Sequence, residues 1–108
     1  MDQRVKEYIG DAVYELIVRT ELAKTDLSNG RFPIMTKLTS NKFMNHAGKE
    51  IGLSLREKSP SSVKGYADAL ESVFCELYYE GGLDLARKYF RRNIVPIWNA
   101  QTEFYKIN

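Results

Sequence analysis

Apolar residues at Val5, Ile9, Ala12, Val13, Leu16 and Ile17 recur at intervals of three and four, the period that returns side chains to one helix face. They predict a helix from near the N-terminus to about Lys24, ended by Ser28-Asn29-Gly30. Pro33 can open a short helical turn. Ser40 then reads as the N-cap of a helix that carries Phe43, Ala47 and Ile51 and closes at Gly52. Residues 54–62, with Ser59-Pro60-Ser61-Ser62, predict a loop. Beyond it Val63, Tyr66, Leu70, Val73, Phe74 and Leu77 form the apolar stripe of a third helix, which Gly81-Gly82 stops. A fourth starts near Leu83 and turns Ala86, Tyr89, Phe90 and Ile94 inward until Pro96 disturbs or ends it. No segment combines strand-like alternation with hairpin chemistry, so the fold class is all-α.

Composition narrows this picture. The 108 residues, 44% hydrophobic and 28% charged, suit a single domain spanning 1–108, with no room for a second module. A lone cysteine, Cys75, excludes a disulfide framework, and with a lone histidine, His46, it excludes the Cys/His sets that hold zinc. Cys75 is expected to pack as a small hydrophobe. His46 has no partner triad that would make it a general base. No apolar run approaches the roughly 20 residues of a membrane span, and the expectation is an intracellular, cytoplasmic protein without membrane contact. The formal charge of +2 is small but unevenly spread. Residues 1–30 carry four basic and six acidic side chains, residues 31–65 seven and two, and residues 66–108 five and six. Acidic flanks around a basic middle fit a carboxylate site beside a polyanion-binding surface, and solvated helix faces would give the same counts.

The acids have their own spacing. Glu7, Asp11 and Glu15 lie four apart and share one face of the first helix, and Asp68 and Glu71 share a face of the third. Like charges at this spacing cost a helix a few tenths of a kcal/mol per pair. If the two helices pack side by side, Glu7, Asp11, Asp68 and Glu71 can converge into a set of oxygen ligands of the kind magnesium prefers. Wet helix faces are the alternative, since most Asp and Glu are solvated. Gly10, beside Asp11, favours convergence: a mid-helix glycine costs about 1 kcal/mol against alanine, and its presence suggests the close approach of another backbone.

The same residues carry a resemblance. Glu7-Tyr8-Ile9-Gly10-Asp11-Ala12-Val13 resembles the signature of the ribonuclease III nuclease domain. Leu38-Thr39-Ser40-Asn41-Lys42 and Ala47-Gly48-Lys49-Glu50-Ile51-Gly52-Leu53 are similar to the segment that follows it in that family. Tyr66-Ala67-Asp68-Ala69-Leu70-Glu71 resembles the second acidic motif, and Tyr78-Tyr79-Glu80-Gly81-Gly82 its exit. These blocks stand in family order over residues 5–90. Tyr14-Glu15-Leu16 and Val18-Arg19, with no room for a double-stranded-RNA-binding domain, resemble the Mini-ribonuclease III branch, although that branch typically lacks the acids at Glu7 and Asp68. Lys6 and Cys75 stand where the family usually has Leu and Gly.

The resemblance implies a magnesium-dependent endoribonuclease, with manganese able to substitute, that hydrolyses double-stranded or structured RNA as a homodimer and leaves 5′-phosphate and 3′-hydroxyl ends. It implies Glu7, Asp11, Asp68 and Glu71 as metal ligands, with Asp11 and Glu71 the catalytic pair and Glu71 the first candidate for a bridging ligand. Tyr8 would be a dimer contact, core packing being the alternative. A-form RNA is read mainly by shape and phosphate, so Lys37, Lys42, Lys49 and Lys64 are the RNA-binding candidates, with Arg87, Lys88, Arg91 and Arg92 as further phosphate contacts. Asn41 could cap a helix or orient a ligand, and Trp98, Phe104 and Tyr105 could cover the core or a partner. Two rival readings stand: a non-catalytic RNA-binding or structural subunit of the same fold, and an all-α nucleoside triphosphate pyrophosphohydrolase.

Overall fold

Asp2 sits in extended backbone and its side chain accepts the Arg4 N–H at 2.7 Å, which starts the first helix, α1 (Gln3–Ala23). The computed structural model describes residues 1–24, 31–54, 65–103 and 105–107. Along α1 the residues turned inward are Val13, Tyr14, Ile17, Val18, Glu21 and Leu22. Val5, Ala12 and Leu16, expected on the same stripe, are instead exposed. Both sets repeat at three and four, and the periodicity alone does not say which one meets the core.

Two short helices follow, α2 (Arg31–Leu38) and α3 (Asn41–Ile51). Pro33 lies within the first turn of α2, where its missing N–H costs nothing. Ser40 is the cap of α3 as expected, accepting the Phe43 N–H at 3.1 Å, so Asn41 is simply its exposed first residue. Gly52, in left-handed backbone, closes α3. The longest helix, α4 (Gly65–Tyr89), breaks at Gly81 and Gly82, and its second arm resumes at Leu83 as the sequence predicted. Ser28-Asn29-Gly30, Ser59-Pro60-Ser61-Ser62, Val63, Lys64 and Phe104 lie outside the described residues.

Pro96 does not end the last helix. A π-turn over Phe90–Ile94, in which the Val95 N–H reaches the Phe90 carbonyl, shifts the register by one residue. Pro96 thereby enters the first turn of α5 (Val95–Ala100), where no backbone donor is required of it. The chain then folds back on α5. The Trp98 indole donates to the Tyr105 carbonyl at 2.9 Å, and Asn99 exchanges two 2.8 Å bonds with the backbone of Ile107, which is buried. Trp98 meets Phe43 edge to face at 5.5 Å and belongs to the core, while Tyr105 points outward.

Among the described residues there is no strand, and the architecture is all-α. Its centre is Tyr14, fully buried, edge-on to Phe74 and Phe90, with its hydroxyl donating to the Leu38 carbonyl at 2.8 Å. One side chain thus ties α1 to α2, α4 and the π-turn, and burial pushes the phenol far above its ordinary range. Cys75 is buried as expected, its Sγ 3.9 Å from the Met1 sulfur and its thiol pushed up by burial.

The position of α4 is set by two glycines. A Cβ at Gly10 would fall on the Glu71 carbonyl, and one at Gly48 would lie 2.7 Å from the Tyr66 carbonyl. Asn45 adds a hydrogen bond, its Oδ1 accepting the Tyr66 N–H at 3.0 Å and satisfying a free donor at the start of α4. Gly10→Ala should therefore destabilise the fold by roughly 2 kcal/mol or more, because the overpacking cost exceeds the gain of about 1 kcal/mol in helix propensity. Urea unfolding of the two proteins measures the difference, and an unchanged or raised midpoint would show that the helices are not in contact there.

Candidate active site

The Gly10 contact brings acids together. Since α1 touches the α4 backbone at Glu71, the next residue, Asp11, stands beside the Glu71 side chain. The Glu71 carboxyl, half-buried, is pushed up to about 8, first by burial, then by the charges of Asp11, Asp68 and Glu7, and finally by a hydrogen bond that its protonated form gives to Asp11. Asp11, Asp68 and Glu7 are thus each within electrostatic reach of Glu71, and among the described residues each group whose charge shifts Glu71 is an acid. Among the described residues, however, no set of three or more acidic, His or Cys side chains is gathered so as to hold a metal ion.

Glu15 is not part of this group. Its carboxylate pairs with Arg19 one turn on at 2.7 Å. Lys6 reaches across to Glu76 on α4 at 3.0 Å, so its ammonium is taken up beyond the acids rather than among them. Beside Asp68 lies a cavity of about 210 Å³, walled also by Gln3, Ser72 and Glu76. Gln3 donates to the Ser72 hydroxyl at 2.6 Å, a contact to the site's border that the sequence did not announce.

The basic candidates divide. Lys37, Lys42 and Lys49 are exposed on α2 and α3, with Lys64 outside the described residues. Arg87 and Arg91, expected on an RNA-facing surface, are instead drawn to Glu21, which is 2% exposed, at 3.5 and 3.3 Å. A buried carboxylate needs such partners, and removing either side of a pair like this is strongly destabilising. Glu21 stands four residues after Ile17 and between Thr20 and Leu22, on the buried stripe, and that register was the available signal. His46 is exposed, on a cavity with Lys42 and Trp98 that none of the four acids lines. Tyr8 is 81% exposed, which overturns core packing as its role.

The raised Glu71 value makes a prediction with a definite sign. The folded chain holds the Glu71 proton up to about pH 8, whereas an unfolded chain releases it near 4.5. The folded state therefore binds more protons across that interval, and stability without divalent cations falls as pH rises through it. Glu71→Gln should remove this slope and leave the variant more stable than the parent at pH 8 in a chelator. Thermal unfolding of both proteins at pH 5, 6.5 and 8 measures it, and parallel curves would mean that Glu71 is not under this repulsion.

Comparison with known proteins places the fold and these motifs together. The ribonuclease III domain matches residues 5–82. A protein named ribonuclease 3 from Mesorhizobium japonicum is 31% identical over 102 aligned positions, covering 83% of this chain and 46% of its own length. Another of that name from Caulobacter vibrioides is 31% identical over 112 positions, covering 93% of this chain and 47% of its own. The chain spans about half the length of these curated relatives, and no solved structure matches it. With the domain matched over most of this chain and Glu7, Asp11, Asp68 and Glu71 all inside the match, the chain belongs to the ribonuclease III family.

Proposed function

We propose that this domain is a magnesium-dependent endoribonuclease, with manganese able to substitute, which hydrolyses double-stranded or structured RNA as a homodimer and leaves 5′-phosphate and 3′-hydroxyl ends. The observation that carries the reading is the charge crowding of Glu7, Asp11 and Asp68 around Glu71. Carboxylates alone neither activate water nor stabilise a leaving oxygen, and such crowding is costly unless something positive relieves it.

The donor set fits magnesium in kind, being all oxygen and anionic. Glu71 and Asp11 would hold the ion between α4 and α1, and Glu7 and Asp68 would complete or orient its shell. Bound there, magnesium supplies a more acidic water and charge compensation at the leaving 3′-oxygen. The chain's own part is to fix the acids on two rigid helices. Gly10 sets their separation, and Glu71 holds a proton that it donates toward Asp11 until a cation replaces it.

Substrate binding rests on Lys37, Lys42 and Lys49, with Lys64 retained as a candidate, since regular phosphates and shape are what an A-form duplex offers. Val5, Tyr8, Ala12 and Leu16 are exposed on α1 at intervals of three and four, an unpaired apolar stripe in the monomer. A second copy covering it would make Tyr8 a dimer contact and supply a second site for the second strand.

The deciding experiment incubates the protein with long duplex and with single-stranded RNA, with and without magnesium. Cleavage should require both duplex and metal, and affinity for duplex should fall steeply with salt. Glu71→Gln and Asp11→Asn should each lower the cleavage rate at least about a hundredfold, more than the loss typical of groups that only orient ligands. Both should keep duplex affinity in calcium. Glu15→Gln, whose partner is Arg19, should stay near the parent rate. Duplex binding without cleavage under any divalent cation would favour the non-catalytic subunit, and hydrolysis of free nucleoside triphosphates the pyrophosphohydrolase. Sedimentation should show a dimer that Tyr8→Glu converts to monomer with its helical content intact. A monomeric parent at micromolar concentration would remove the two-strand cut.

A further inference from the structure

Of the four acids, Asp68 alone stands in the first turn of its helix. The Gly10 contact fixes α4 at Glu71, three residues further on, and Asp11 is fixed by the same contact from the α1 side. A first turn carries backbone N–H groups with no acceptor inside the helix, and helix ends open locally at little cost. Holding Asp68 in place therefore calls for a partner outside α4. The described residues supply one from α3. Asn45 and Gly48 lie three apart, on one face of that helix, and both meet Tyr66. The Asn45 Oδ1 accepts the Tyr66 N–H at 3.0 Å, while the missing side chain of Gly48 lets the Tyr66 carbonyl come within 2.7 Å of where a Cβ would stand. Just past the end of α3, Leu53 and Ser54 share the walls of the 210 Å³ cavity with Asp68.

The choice of residue at position 45 follows from α4 rather than from α3. Asparagine is a poor residue for the interior of a helix, where its amide competes with the backbone, so α3 gains nothing from it. Its oxygen serves instead as the cap of a helix that begins 20 residues later. Aspartate would accept the same bond and suit a helix N-terminus better, but it would bring a further negative charge to the turn that carries Asp68. We propose, on the metal reading above, that Asn45 is a positioning residue: it acts through the Tyr66 N–H to hold Asp68 where the cation binds. Asp68 follows Tyr66 by two residues, a rise of about 3 Å along the helix, and the flanking Gly65 and Ala67 are buried, so this turn moves as a unit. A helix that carries none of the four acids thereby sets the place of one of them.

Two substitutions separate this role from plain stability. Asn45→Ala removes the acceptor and puts a better helix former into α3, whereas Asn45→Asp keeps the acceptor. In the metal-free full chain, the amide protons of Tyr66, Ala67 and Asp68 should exchange with deuterium at least about tenfold faster in Asn45→Ala, the size expected for one lost hydrogen bond. Those around Phe74 should keep the parent rate. Manganese, titrated alone and read by electron paramagnetic resonance, should bind Asn45→Ala about tenfold or more less tightly, the loss typical when a group that orients a ligand is removed. Asn45→Asp should bind it at least as tightly as the parent. A role confined to stability would lower the unfolding midpoint and leave manganese affinity unmoved in protein that circular dichroism shows to be folded. No RNA is present, so a parent that binds manganese yet cuts no duplex would remove the nuclease reading and leave the role of Asn45 standing. Unchanged manganese affinity in Asn45→Ala would overturn the proposal, as would first-turn amides that stay protected or an Asn45→Asp protein as weak as Asn45→Ala. A parent that binds no manganese would overturn it together with the metal reading.

Discussion

The contact between the backbone of α4 at Glu71 and the bare α-carbon of Gly10 is the constraint from which the rest of this structure follows. Any side chain at position 10 would occupy the Glu71 carbonyl, so the helix separation and the placement of Asp11 are one decision. Gly48 and Asn45 make the corresponding contacts between α3 and the first turn of α4, so Asp68 is located by a helix that carries none of the four acids. Tyr14 secures the same inward face of α1 one turn on, its hydroxyl on the Leu38 carbonyl and its ring between Phe74 and Phe90. A glycine that weakens its own helix is thus balanced by packing available only to glycine.

That same closeness works against the fold electrostatically. Glu71 is driven upward by burial and by three acids, and Lys6, next to Glu7 in the chain, is engaged by Glu76 instead. At another buried acid the charge is compensated: Glu21, deeper than Glu71, has two arginines beside it. Repulsion left standing in one place and compensated in another is the pattern expected when local stability is given up for a site. The ribonuclease III family match, over residues 5–82, contains all four of these acids.

Much of this was legible in the sequence because it depends on local rules. Ser40 as a cap, Gly52 as a helix end and the break at Gly81-Gly82 follow from backbone chemistry within a few residues. Gly10 announced a close approach because a mid-helix glycine is unfavourable without one. What escaped depends on long-range partners or on register. The register of Glu21 put it on the buried stripe, but the partner that makes its burial tolerable, Arg91, is 70 residues away and beyond any count of spacing. The π-turn that lets the chain continue through Pro96 inserts one residue into the helical repeat, which no count at three and four anticipates. The exposure of Val5, Ala12 and Leu16 escaped for the opposite reason: their spacing is as regular as that of the buried stripe, and the core takes only one of the two.

Those exposed residues give α1 a further significance. Successive residues on a helix are about 100° apart, so Tyr8 follows Glu7, and Ala12 follows Asp11, by the same rotation. An acidic stripe and an apolar stripe therefore run side by side along α1, while Gly10, Val13, Tyr14 and Ile17 occupy the inward arc. A second copy seated on the apolar stripe would place its edge beside Glu7 and Asp11 rather than over them. Dimerisation of that kind would lower the solvent access of the carboxylates without covering them, and would strengthen the repulsion around Glu71 because water screens it less. In the proposed nuclease the cation requirement and the dimer would then be coupled through one helix, Tyr8 and Ala12 each standing one residue beyond an acid of the site.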